Sequence, residues 1–328
     1  MTPLPWLANR QAEFHQALAA NRRAHAYLLS GPRGVGKRAL AAVMSDACFD
    51  AERRGVNAPH RWPEHADFHR IAPAEDKTAL SVDQVRELIG ELAMTAYAGA
   101  TKVAIIEAAD TLSIAAANAL LKTLEEPPGD CCIVLIADRL LNLPATILSR
   151  CSHWKIAAPS MGDALAWMAH DDRAQAERAL AMAAGAPLLA ADWIANGTID
   201  TWDRLHDELA ALVDDGGDAT ALATAWSKHE AALVLKFLLA MTEAALHVLL
   251  KTGSAMPENR AITQIAERNV DARHLFCYLD RLRRLLSQPK GSYSAPAVFE
   301  TLLLAWQGGF RSLGDEAPLL PDVAAGQL

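Results

Sequence analysis

Several things are missing from this sequence, and each absence removes a class of protein. Five cysteines (Cys48, Cys131, Cys132, Cys151 and Cys277) make no framework of spaced pairs. The opening MTPLPWLANRQAEF has no apolar stretch of signal-peptide length. Together these predict reduced thiols in the cytoplasm and argue against a small disulfide-built secreted domain. Basic excess is missing too: the formal net charge is -8, with 31 Lys and Arg against 39 Asp and Glu. A chain that grips DNA unaided is more often basic, so any nucleic-acid contact is expected to be local or shared with partners. No apolar run of membrane length is uninterrupted. The nearest, Ala231 to Leu250, is broken by Lys236, Glu243 and His247, and reads as an amphipathic bundle helix and not a membrane span. Internal repeats and low-complexity tracts are absent as well. What remains is apolar enough, at 52 % over 328 residues, to bury cores for two or three domains.

The first half alternates short apolar runs with helical patterns. Strands are predicted at Ala26–Ser30, Asp67–Ile71, Val103–Ile106, in CCIVLIAD and at His153–Pro159. Between them lie KRALAAVMSDACF, SVDQVRELIGELAM and SIAAANALLKTLEE, the last stopped by Pro127 and Pro128. Ser81 with Gln84 three residues on forms a capping-box pattern. Such alternation implies a parallel sheet covered by helices on both faces, an α/β fold. After Pro159 the strand signal stops. A small helical unit runs to a break at Gly197-Thr198, and a second helical block follows. Its clearest helices are Trp202–Val213, Ala231–Leu250, Ala272–Leu286 and Ala297–Trp306; the tail beyond Gly308 is expected to be loose.

GPRGVGKR, Gly31 to Arg38, sits between a predicted strand and a predicted helix. A glycine loop in that context cradles anions with backbone N–H groups, helped by the helix dipole. Gly31, Gly34 and Gly36 allow the tight path, and Lys37 is the residue that would reach outer phosphates. The next residue should be Ser or Thr, whose hydroxyl holds magnesium; here it is Arg38. A guanidinium has only donors and a full positive charge, so it repels a metal, although it can touch phosphate directly. Nucleotide binding and a glycine turn kept for helix packing both stay open, while catalysis at this loop is not expected. In IIEAAD, Glu107 stands where P-loop NTPases place a magnesium-holding Asp, and Ala108 where a water-activating Glu often follows. Glu107 has the oxygens to hold a metal, but a solvent-facing carboxylate at a strand end is the more ordinary expectation.

NALLKTLEEPP (Asn118 to Pro128), a strand, and then LSRC (Leu148 to Cys151) resemble the AAA+ clamp-loader subunits of bacterial DNA polymerase III. PWLANRQ, HAYLLSGPRGVGK, HADFHRIAP, SVDQVRELI and KVAIIEAAD follow in the family's order, so the resemblance covers roughly the first half of the chain. It implies a RecA-like AAA+ P-loop domain over 1–159, a small helical lid over 160–198 and an all-α collar over 199–328. It implies a role in placing the sliding clamp on primed DNA, within a hetero-pentamer of motor subunits, a delta subunit and this chain. Arg150 matches the family's arginine finger, which reaches into a neighbour's nucleotide site; the alternative is a surface arginine paired with a nearby carboxylate. A planar permanent cation offsets charge on a transferring phosphoryl group, an effect of about 10³–10⁵ in rate in GTPases.

Other family stations are vacant. Motor subunits carry a phosphate-sensing threonine where LIADR offers Ala137 and Asp138, and a lid-helix arginine where GAPLLAAD from Gly185 has none. Four losses predict a non-motor subunit with no required cofactor, whose work is assembly and the supply of Arg150. The rival is an active AAA+ ATPase, and a P-loop kinase is a poorer third. Family members of this type commonly bear a four-cysteine zinc module. Here the matching region holds Cys48 with His60, His65 and His69 but no paired spacing, so no zinc site is expected. Lys122 and Arg86 are candidates for DNA contact, with a solvated helix face as the alternative.

Overall fold

The computed structural model describes residues 3–49, 62–74, 79–97, 101–250, 262, 265, 268, 270–288 and 292–310. The chain divides into two compact units, Met1–Gly197 and Thr198–Leu328.

The first unit is built on a five-stranded sheet. Its strands are β1 (Ala26–Ser30), β2 (Phe68–Ile71), β3 (Lys102–Ile106), β4 (Cys131–Ala137) and β5 (Ser152–Lys155). All pairings are parallel, in the order β2-β3-β4-β1-β5. β1, β3 and β4 are buried along their whole length, which is why they read as unbroken apolar runs. Successive side chains alternate between the faces. Ala26, Leu28, Ala104, Ile106, Ile133 and Leu135 pack with α3 (Val82–Ala93) and α4 (Ile114–Glu125). On the other face Tyr27 meets Phe14 of α1 (Ala8–Ala19), which packs beside α2 (Lys37–Phe49). This is the α/β architecture expected from the strand and helix order, and the RecA-like fold that the family resemblance implies.

Local chemistry sets the helix ends. The Ser81–Gln84 capping box at α3 forms in both directions. Ser113 caps α4 by accepting from the Ala116 N–H at 3.1 Å. A short α5 (Ala145–Leu148) precedes β5. β5 is shorter than predicted. Its last ladder bond runs from the Ile156 N–H to the Ser30 carbonyl at 2.7 Å, and the Ile156 carbonyl then closes over the glycine loop. Three further helices belong to the unit: α6 (Met161–Met168), α7 (Arg173–Met182) and α8 (Pro187–Ala195). α1 lacks a side-chain cap, and its pattern alone did not mark it as a helix.

The second unit is helical: α9 (Thr198–Asp215), α10 (Ala219–Trp226), α11 (Ala231–Leu250), α12 (Ala272–Ser287) and α13 (Ala295–Gln307). α10, flanked by longer helices, is the one the sequence pattern left unmarked. α11 is long and apolar enough to span a membrane by length and composition. In the structure Val234, Leu235, Phe237, Leu238 and Met241 are buried in the unit's own core. Trp226 is fully buried there with its indole N–H satisfied by Glu208 at 2.7 Å. The chain is not loose directly after Gly308: Phe310 is buried edge-on to Tyr278 (5.1 Å) and Trp306 (5.2 Å). The rest of the predicted loose tail lies outside the described residues.

Gly31 holds φ +145°, and a Cβ there would lie 2.0 Å from the Ile156 carbonyl oxygen. Both backbone strain and a clash with main chain therefore oppose any side chain. Gly31→Ala is expected to destabilise the first unit by more than about 2 kcal/mol, read from the urea midpoint of the full chain.

Candidate functional site

The glycine loop links β1 to α2 and is clamped from both sides. The Trp6 indole N–H donates to the Val35 carbonyl at 2.9 Å, and Leu4 and Leu7 crowd Gly36. On the opposite side the first turn of α8 lies directly on the loop. The Leu188 N–H donates to the Gly34 carbonyl at 3.1 Å, and a Cβ on Gly34 (φ +85°) would come within 2.5 Å of Leu189 Cβ. Gly34 is required for the close approach of α8 as well as for the loop's own path.

Lys37 does not project outward. It is 5 % exposed, and its Nζ donates to the Gly31 carbonyl (2.5 Å) and the Pro32 carbonyl (2.7 Å) and pairs with Asp138 Oδ1 (2.7 Å). An ammonium has three donors, and all three are taken by the chain itself.

Arg38 turns to the end of β3. Its Nε lies 2.9 Å from Glu107 Oε2, while Arg70 Nη1 from β2 donates to Glu107 Oε1 at 2.7 Å. Trp62 lies under both guanidinium groups, at 5.9 Å from Arg38 and 5.5 Å from Arg70. The expectation of a solvent-facing Glu107 is therefore corrected. Residue 107 is 9 % exposed and bridges two arginines, because β2 runs beside β3 and brings Arg70 to the same strand ends. Magnesium does not fit this arrangement. Both carboxylate oxygens are engaged by cations, and the residue that should offer a hydroxyl offers a guanidinium. Ala108, at φ +51°, has no acid to activate water.

A cavity of about 570 Å³ lies beside the loop, bounded also by Pro73, Ile136 and the first turn of α8. Three cations, Arg33, Lys37 and Arg38, line it together with three carboxylates, Glu107, Asp138 and Asp192. Among the described residues its wall is formally neutral, which is a poor match to a triphosphate. Leu188 and Leu189 of α8 form the cavity wall on that side.

Arg150 stands apart from that cavity, after α5. Its Nε donates to Glu125 Oε1 at 2.6 Å, Nη2 pairs with the same oxygen, and Nη1 donates to the Thr146 carbonyl at 2.9 Å. The partnered surface arginine weighed from sequence is thus present, and its partner is the first Glu of LEEPP. Both side chains are partly exposed, 32 % and 46 %, so the pair is worth only about 0–1 kcal/mol. A stronger anion can displace it.

Comparison with known proteins agrees with this chain's motif order. A family model described as "DNA polymerase III, delta subunit" matches residues 7–160. The DNA polymerase III subunit delta' of Pseudomonas aeruginosa is 30 % identical over 324 residues, covering 92 % of this chain and 96 % of that protein. The chain belongs to the DNA polymerase III delta' family. The delta' subunit of Escherichia coli K12 is 31 % identical over 230 residues, covering 67 % of this chain and 69 % of that one. The tau subunit of Bacillus subtilis is 34 % identical over 144 residues, 42 % of this chain and 25 % of that protein. In this delta' family member, sequence reasoning missed Arg70, Trp62 and Asp192 as parts of the site. Asp138 was noticed there only as a missing threonine.

Of the residues weighed for zinc, the described ones, Cys48, His65 and His69, lie in separate contacts. The Cys48 and Cys132 thiols hydrogen-bond each other, which pulls the Cys48 pKa down and, with burial, pushes that of Cys132 well up. His65 stacks on Phe49 at 4.0 Å, and His69 Nδ1 lies 2.9 Å from Glu91. His60 lies outside the described residues. Among the described residues no group of three His, Cys, Asp or Glu is placed to hold a metal. Arg86 lies 3.6 Å from Asp83 on α3, and Lys122 is exposed on α4.

Arg38→Ser alone is expected to leave the purified chain without ATP turnover. Arg70 still holds Glu107, Asp138 still holds Lys37, and Ala108 still lacks a base; phosphate release by the variant would contradict this. Burial lifts the Cys151 thiol, beside Arg150, to about 11. Its thiolate fraction at pH 8 is then on the order of 10⁻³. A disulfide reagent at that pH should modify exposed Cys277 well before Cys151, and in a Cys48→Ser background Cys277→Ser should remove the fast phase.

Proposed function

We propose that this chain is a non-motor subunit of the bacterial replicative clamp loader, which supplies Arg150 in trans to the nucleotide site of a neighbouring subunit. The observation that carries the reading is the contrast between two sites. At the chain's own loop, Arg38 and Glu107 pair with each other at 2.9 Å, where a hydrolytic site needs a hydroxyl and a free carboxylate. At Arg150, a partly exposed guanidinium is oriented by Glu125 and Thr146 but not buried by them.

The chemistry is electrostatic. A triphosphate on a neighbour offers more negative charge than one exposed carboxylate, so Arg150 can leave Glu125 for it. Its planar fork then meets charge developing on the transferred phosphoryl group. Glu125 acts as a positioning residue, keeping the guanidinium extended from α5 until that anion arrives. The partners in this reading are the motor subunits and the delta subunit of a hetero-pentamer, with sliding clamp and primed DNA met through the complex. The delta' and tau relatives, named as subunits of DNA polymerase III, support an assembly of this kind. The work is done in the cytoplasm.

Arg150→Ala should leave folding and assembly intact and slow hydrolysis at the one adjacent site by at least about tenfold. It would be read as a partial loss of DNA- and clamp-stimulated ATP turnover in a complex reconstituted from the same organism. Arg150→Lys should not restore the rate, because an ammonium cannot make the planar bidentate contact. Full turnover with Arg150→Ala would overturn the trans assignment.

A further inference from the structure

We propose that Asp138 is a built-in occupant of the anion cradle. By neutralising Lys37, it decides whether the loop pocket accepts a polyphosphate. The inference rests on the reading of this chain as a subunit that does not hydrolyse nucleotide at its own loop. It goes further by naming the residue that keeps phosphates out and the form of ligand the pocket would take without it.

The cradle is otherwise built. Three glycines keep the path of a phosphate loop, with φ of +145°, +85° and +99° at Gly31, Gly34 and Gly36. α2 begins at Lys37, so its N-terminal N–H groups and positive dipole end face the loop. A cavity of about 570 Å³ adjoins them. What a phosphate would need from Lys37 is already taken. Two Nζ donors close on the Gly31 and Pro32 carbonyls, and the third meets Asp138 Oδ1 at 2.7 Å. β4 ends at Ala137, so Asp138 is the first residue beyond the strand. The parallel register sets Ala137 beside Ser30, and this brings the carboxylate to the mouth of the loop that leaves β1. A carboxylate there both uses a donor and repels an incoming anion.

Arg38 determines the form of the ligand. It is salt-bridged to Glu107 through Nε, is 63 % exposed and lines the cavity, so the guanidinium keeps donors for a second anion. A polyphosphate entering beside it would come without magnesium, the guanidinium supplying the counter-charge. Asp138→Ala therefore removes one negative charge from the cavity wall without touching the glycine path.

The test is calorimetric titration of the full chain with inorganic tripolyphosphate and with ADP, both in EDTA. The proteins are the wild type, Asp138→Asn, Asp138→Ala and Asp138→Ala with Lys37→Ala. Affinity should rise in the order wild type, Asn, Ala, by at least about tenfold overall. The double substitution should lose the gain, and magnesium should not increase it. Asp138 is 46 % exposed, so these variants are expected to fold, and equal melting temperatures would establish that they do. Should the alanine variant misfold, the asparagine variant still tests the charge. Folded variants that bind no better than the wild type would overturn the proposal. So would a wild type that already binds tripolyphosphate as tightly. Parallel ATP turnover by the wild type with magnesium separates the two readings: turnover would defeat the non-hydrolysing assignment itself, whereas unchanged affinities without turnover would defeat only the role of Asp138.

Discussion

The Arg38–Glu107 pair is the constraint around which the first unit's loop region is arranged. A magnesium-nucleotide site brings together a hydroxyl and a carboxylate that stay apart until the metal joins them. Here the equivalent positions are a cation and an anion that satisfy each other directly. Burial of Glu107 would be costly for a lone carboxylate, and pairing with Arg38 and Arg70 over Trp62 relieves that cost. Removal of one partner would leave a poorly compensated charge near the end of β3. The pair is therefore both a structural brace and an obstacle to a metal.

The neighbouring features repeat this internal satisfaction. Lys37 is engaged by two loop carbonyls and Asp138, and the Gly34 carbonyl by the Leu188 N–H of α8. A loop shape that elsewhere waits for an outside anion is here a joint that ties core, N-terminal turn and α8 together. Glycine remains necessary at positions 31 and 34 because Ile156 and Leu189 occupy the space a side chain would need. Arg150 shows the opposite design. Its single ion pair is partly exposed and weak, so its orientation is set while its charge stays available.

The legibility of these features follows the range of the interactions behind them. The sheet, its flanking helices and the break at Gly197 could be read because buried parallel strands, capping boxes and proline stops leave local patterns. α1 and α10 escaped notice: one lacks a side-chain cap, and the other is short and lies between longer helices. β5 was read too long because Ile156 to Pro159 are apolar like a strand, yet Ile156 closes over Gly31 and ends the ladder. Phe310 was assigned to a loose tail because nothing local announces that Tyr278 and Trp306 leave room for it.

Residue identity by itself determined that Arg38 could not ligate magnesium and that Ala108 could not activate water. Those conclusions depend on functional groups, and a functional group does not change with the fold. Only the tertiary structure decided what the altered groups do instead. Strand register brings Arg70 beside Glu107 and Asp138 beside Lys37, pairings between residues 37 and 101 positions apart in the chain. Such contacts carry no local periodicity, and they exist because a parallel sheet gathers the carboxyl ends of distant strands at one edge.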